Sequence, residues 1–79
     1  MTQEKIQFIN SDIDNATDGK WEVWARNNRG GYQNNKTGLD TDSGLLVFEN
    51  NKLIDYDGML EIPAEVIEIV KFMGFEIDL

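Results

Sequence analysis

Two neighbouring asparagines, Asn50 and Asn51, separate two runs, 45–48 and 53–56, that are apolar apart from Asp55. Asparagine tolerates positive φ better than most residues, so the pair predicts a two-residue hairpin turn. A turn of that length sets the register: Glu49 faces Lys52, Phe48 faces Leu53, Val47 faces Ile54, Leu46 faces Asp55 and Leu45 faces Tyr56. One face of the hairpin then carries Leu45, Val47, Ile54 and Tyr56, and the other Leu46, Phe48 and Leu53 with Asp55. An antiparallel sheet with one wet face alternates apolar and polar residues, and this hairpin does not. Something has to cover its second face, either the N-terminal strand and the long polar connection before the hairpin, or a second copy in a homodimer.

A helix follows. Pro63 suits a first helical position, where no N–H is needed, and Glu65 and Glu68 place negative charge towards the N-terminus. Val66, Ile69, Val70 and Met73 recur at helical spacing and form one apolar stripe. Ile62 offers no side-chain cap. Gly74 stands where a helix ends on positive φ, with Phe75 able to fold back over the last turn. Residues 75–79 alternate like a final strand, with Phe75, Ile77 and Leu79 on its inner side, and could also add to another sheet edge.

Earlier in the chain, residues 5–9 are a short strand candidate, with Ile6 and Phe8 on one side and Ile9 on the other. Residues 10–19 form an acidic, turn-forming loop. Residues 20–26 alternate clearly, with Trp21, Val23 and Ala25 on one face and Glu22, Trp24 and Arg26 on the other. Residues 27–43 are polar, contain three glycines and read as a long flexible connection. The expected fold is α+β: a small antiparallel β-sheet of four or five strands in the order β-β-β-β-α-β, with one C-terminal helix over about 63–73 packed on one face. The 79 residues form a single domain with a small core, for which 41% hydrophobic content suffices.

Composition excludes much chemistry. The chain has no cysteine and no histidine, so disulfides, thiolate metal sites and Ser-His-Asp or Cys-His arrangements cannot be built. Carboxylates, lysines and tyrosines remain, and no spacing singles out a pair; the chain reads as no enzyme, with no cofactor and no metal. Asp12, Asp14 and Asn15 suggest part of a calcium loop, but counting from Asp12 the sixth residue is Thr17 and the twelfth Val23, where that loop needs Gly and Glu. Ordinary Asx-turn chemistry accounts for these residues. Lys36-Thr37 follows Asn34-Asn35 rather than a glycine-rich turn, so no P-loop is present. The opening residues lack a basic start and a long apolar run, which predicts a cytoplasmic protein without a secretory signal.

The net charge of −8 is large for this length. It weighs against general affinity for nucleic acid or anionic membrane. Residues 1–19 sum to −3 and residues 39–79 to −8, whereas residues 20–38 sum to +3 (Lys20, Arg26, Arg29 and Lys36 against Glu22). The basic segment includes Trp24 and Arg29-Gly30-Gly31-Tyr32, which resembles the Arg-Gly-Gly pieces of single-strand-binding segments. Trp24 either helps cover the second sheet face or is an exposed aromatic for a partner. On the helix, Phe72 lies beside Glu65 and Glu68 and away from the apolar stripe. It is an aromatic within an acidic surface, open to a protein partner or covered by Tyr32 or Trp24.

The functional expectation is a small acidic interaction protein that binds a larger protein, partly through acidic side chains offered to a groove that normally holds nucleic acid. The expected contact residues are Trp24, Arg26, Arg29, Tyr32, Glu65, Glu68 and Phe72. In size, acidity and lack of a catalytic constellation, though by no motif, the chain resembles small phage or mobile-element inhibitors of host defence such as anti-CRISPR proteins. That resemblance covers no alignable stretch and carries over no residue. The alternative is a nucleic-acid-binding module using segment 21–36.

Overall fold

The computed structural model describes residues 7–8 and 15–79. The strand expected at 5–9 is described only at β1 (Gln7–Phe8); Lys5, Ile6 and Ile9, and the acidic residues Asp12 and Asp14, lie outside the described residues. Six further strands follow: β2 (Asn15–Thr17), β3 (Trp21–Arg26), β4 (Arg29–Asn34), β5 (Ser43–Glu49), β6 (Lys52–Gly58) and β7 (Glu76–Ile77). Helix α1 (Ala64–Phe72) lies between β6 and β7. All strands join one sheet in chain order. The α+β class holds, but the strands outnumber the four or five expected.

The sheet is also mixed rather than wholly antiparallel. Strands β1 to β6 run antiparallel, and β7 lies parallel to β6. A parallel neighbour needs a long crossover, and α1 supplies it. The Glu76 N–H donates to the Asn51 carbonyl at 3.0 Å and the Asp78 N–H to the Leu53 carbonyl at 2.8 Å. The final strand is therefore shorter than 75–79, and Leu79 is exposed instead of facing inward. Phe75 and Ile77 do pack against the core.

Strand β4 occupies residues expected to be loop. Asn27 takes φ +58°, so Asn27-Asn28 turns the chain tightly and Arg26 pairs with Arg29. Gly30 and Gly31 are then in mid-strand, which ordinarily weakens a strand. Here each gives room to a ring. A Cβ on Gly30 would sit 2.6 Å from Cε2 of Phe48 on the inner face. A Cβ on Gly31 would sit 2.7 Å from Nε1 of Trp24 on the outer face. The rest of the expected loop is tied down at Asn34. Its side-chain carbonyl accepts from the N–H groups of Lys36 (2.8 Å) and Thr37 (3.1 Å), and a short 3-10 helix follows at Asp40–Asp42. The turn chemistry expected before β3 is present at Asp18, whose Oδ1 accepts from the N–H groups of Lys20 (2.9 Å) and Trp21 (2.8 Å).

The β5–β6 hairpin has its predicted turn, with Asn50 at φ +55° and Asn51 at +64°. Its register departs from expectation after the first two pairs. Phe48 faces Leu53, but Val47 then faces Asp55, Leu46 faces Tyr56 and Leu45 faces Asp57. Ile54 is the extra residue of a β-bulge, which shifts everything beyond it by one. In the regular register Asp55 would point into the core beside Leu46. Burying an unpaired carboxylate costs several kcal/mol, and the bulge avoids it. The inner face therefore holds Leu46, Phe48, Leu53 and Tyr56, and the outer face Leu45, Val47, Asp55 and Asp57.

Helix α1 lies on the inner face, in contact with β3 and β7. Its predicted stripe of Val66, Ile69, Val70 and Met73 is buried, against Trp21, Val23 and Ala25 of β3 within the same core. Each fully buried side chain of this size contributes on the order of 1.5–3 kcal/mol of transfer free energy. Pro63 occupies the N-cap position (φ −66°, ψ 146°) rather than the first helical one, and no side chain caps the helix. The C-terminus follows expectation. Gly74 takes φ +108°; its N–H donates to the Lys71 carbonyl at 3.0 Å and that of Phe75 to the Val70 carbonyl at 3.3 Å, the Schellman pattern. Phe75 then meets Phe48 with ring centroids 4.4 Å apart.

Candidate interaction surface

The face of the sheet turned away from α1 is ordered by the ladder. Residues directly opposite one another in antiparallel strands point to the same side. One transverse row runs Trp24–Gly31–Leu45–Asp57, and the next runs Arg26–Arg29–Val47–Asp55. Each row carries an aromatic or basic residue on β3, passes an aliphatic residue on β5 and reaches an acid on β6; the first row also extends from Trp24 to Asn15 of β2. Beyond the first row, Gln33 donates from Nε2 to Oε1 of Glu22 at 3.3 Å.

The Trp24 indole packs over β4, so that Gly31 is buried although it faces outward. Trp24 remains 39% exposed, Leu45 57% and Val47 38%. Together with Arg29 and Asp57 they line a groove of about 510 Å³. Trp24 covers part of the outer face and leaves part of its ring exposed to solvent. The Arg29-Gly30-Gly31 stretch belongs to a strand and is built for ring packing.

The expected contact residues do not form one surface. Trp24, Arg26 and Arg29 share the outer face. Tyr32 points the other way and is buried. Its ring crosses Gly44 and Gly58, where an added Cβ would come within 2.8 Å of the hydroxyl or nearer. Burial, and secondarily the charge of Tyr56, raise the Tyr32 pKa above the usual phenol value. Glu65, Glu68 and Phe72 are on the solvent side of α1, with the helix and the sheet between them and Trp24. Glu68 lies 3.7 Å from Lys71 on that surface, and Phe72 is 43% exposed. Surface pairs of this kind contribute at most about 1 kcal/mol.

Leu45, Val47, Asp55 and Asp57 were not expected in the surface as a set, because the regular register put Asp55 on the opposite face from Leu45 and Val47. A second hollow, about 850 Å³ and open, lies between the hairpin turns Asn27-Asn28 and Asn50-Asn51 above Phe48, Ile54 and Phe75. The turn geometry accounts for its asparagines. Among the described residues no group of three or more Asp or Glu side chains could hold a metal ion, and no helix is long and apolar enough to cross a membrane. No protein-family model, no curated protein and no solved structure matches this chain.

Proposed function

We propose that this chain is a non-enzymatic interaction protein that binds a larger protein stoichiometrically through the outer face of its sheet. The observation that carries this reading is Trp24, half-exposed over Gly31 beside the exposed Leu45 and Val47, with Arg29 and Asp57 at the margins of the same groove. A tryptophan and an arginine around an aliphatic centre is the composition in which binding energy concentrates, and contiguous exposed apolar surface marks interaction sites. The acidity suits a partner with a basic groove. Asp55 and Asp57 would face that groove beside the apolar centre, as in a phage- or mobile-element-encoded inhibitor that occupies a nucleic-acid site.

Binding of single strands by segment 21–36 has one observation in its favour, that Trp24, Arg26 and Arg29 share a face. Asp55 and Asp57 on that face and the −8 net charge oppose it. The test is titration of the purified protein against basic nucleic-acid-handling proteins of its host. A 1:1 complex that nucleic acid displaces supports the reading, and the absence of any tight complex across the panel removes it.

A further inference from the structure

We infer that the outer face is self-complementary and takes a second copy of this chain about a two-fold axis running along β5. This rests on the reading of that face as the contact surface and names an occupant for it. The order of residues in the two rows makes the face complementary to itself. A two-fold axis along β5 lays the face of one copy on the face of the other and exchanges β4 with β6. Arg29 then stands over Asp55 of the second copy, and Asp55 over its Arg29, because both residues flank Val47 in one row. Val47 and Leu45 meet their own counterparts on the axis. In the other row the place of Gly31, filled by the Trp24 indole edge, faces Asp57 of the second copy, a carboxylate opposite an N–H donor.

Within one chain Arg29 and Asp55 are two strands apart, on the order of 10 Å. Packed sheets also lie about 10 Å apart, a gap that an arginine and an aspartate reaching towards each other can span. A C2 interface requires such a self-complementary patch, and here each row ends in chemistry that matches its own beginning. The patch covers four strands, about 15 Å, so it is smaller than the ~800 Å² per partner of a standard interface. A patch of that size suits a weak, readily exchanging dimer.

Sedimentation velocity up to about 1 mM protein at about 0.15 M salt, where the repulsion between two acidic chains is screened, tests this. The wild-type mass should rise from 9.0 kDa towards twice that value. Arg29→Asp and Asp55→Arg should each weaken association at least about tenfold. A mixture of the two variants should restore it, because each copy then meets opposite charge at both contacts. Intermolecular NOEs between the Val47 methyls of a mixed-isotope wild-type sample supply a reading that needs no variant. A monomer throughout the concentration range, or a dimer whose variants fail to complement while Val47 shows no contact with its counterpart, overturns the inference. If self-association is absent but a larger partner is still captured in a Trp24-dependent way, only the two-fold pairing falls. If the dimer forms as described and partner capture ignores Trp24, it is the larger-partner reading that falls.

Discussion

The indole of Trp24 lies over the backbone of Gly31 so closely that a Cβ there would sit 2.7 Å from Nε1 and 3.0 Å from Cε2. The contact ties a half-exposed aromatic of the sheet to a strand whose residues 30 and 31 carry no side chain. It explains how a segment of sequence Arg-Gly-Gly-Tyr-Gln-Asn holds a central place in the sheet, since rings from both faces supply the packing that its glycines lack.

The two glycines differ in what an added methyl would meet. At Gly31 the nearest neighbour is the edge of a surface side chain, which can swing away, and the Gly44 carbonyl at 3.1 Å needs to give by only a few tenths of an ångström. At Gly30 it is the Trp24 carbonyl and the ring of buried Phe48, and neither can move without disturbing the core. Gly31→Ala should cost about 1 kcal/mol and Gly30→Ala about 3 kcal/mol or more. Urea midpoints of the two variants decide the point, and equal losses would contradict the packing described.

The bulge at Ile54 makes a second prediction. Deleting Ile54 leaves a regular ladder in which Asp55 still faces Val47, so the outer face keeps its composition. The loss should be limited to the half-burial of one side chain, about 1–2 kcal/mol, with the fold retained. Amide exchange across β5 and β6 provides the measurement; collapse of protection in both strands would mean that the register depends on something other than the bulge.

How much of this was legible in the sequence follows from where the chain alternates. Residues 20–26 and the helical stripe Val66–Ile69–Val70–Met73 are periodic, and the structure buries Trp21, Val23 and Ala25 and the stripe as read. Strand β4 offers no apolar alternation, and its turn at Asn27-Asn28 looks like the polar residues around it, although the same dipeptide was readable as a turn at Asn50-Asn51 between two apolar runs. Strand β7 is too short for periodicity to reveal its parallel direction. The outer surface was legible only at Trp24, Arg26 and Arg29, because the faces of β6 depend on one unpaired residue. The expected core-side place of Asp55 was the available signal that the regular register could not stand.

Asn51 has φ +64°, a value at which glycine carries no Cβ penalty. Asn51→Gly produces the preferred Asn-Gly turn and should stabilise the protein by about 0.5 kcal/mol. The Asn51 carbonyl that accepts from Glu76 is untouched. Thermal unfolding would show the gain, and a loss would indicate that the Asn51 side chain has a further role.

Tyr32 sets an alkaline limit. Its folded pKa is raised above 10.0 by burial, so the native state favours the neutral phenol. Its contribution is fully present below about pH 10 and is lost as pH rises through the folded value. Stability should decline above about pH 10, and Tyr32→Phe should flatten that decline. Chemical denaturation between about pH 8 and pH 12 tests the sign; a wild-type curve and a Tyr32→Phe curve of equal slope would contradict it.

The central claim is that contact is made by the outer sheet face and not by the acidic side of α1. The most direct measurement is capture from host lysate with three matched baits: wild type, Trp24→Ala and Phe72→Ala, each verified as folded. The account predicts one stoichiometric partner that the Trp24→Ala bait loses and the Phe72→Ala bait keeps. A partner retained by Trp24→Ala and lost by Phe72→Ala would place the contact on the helix and contradict it.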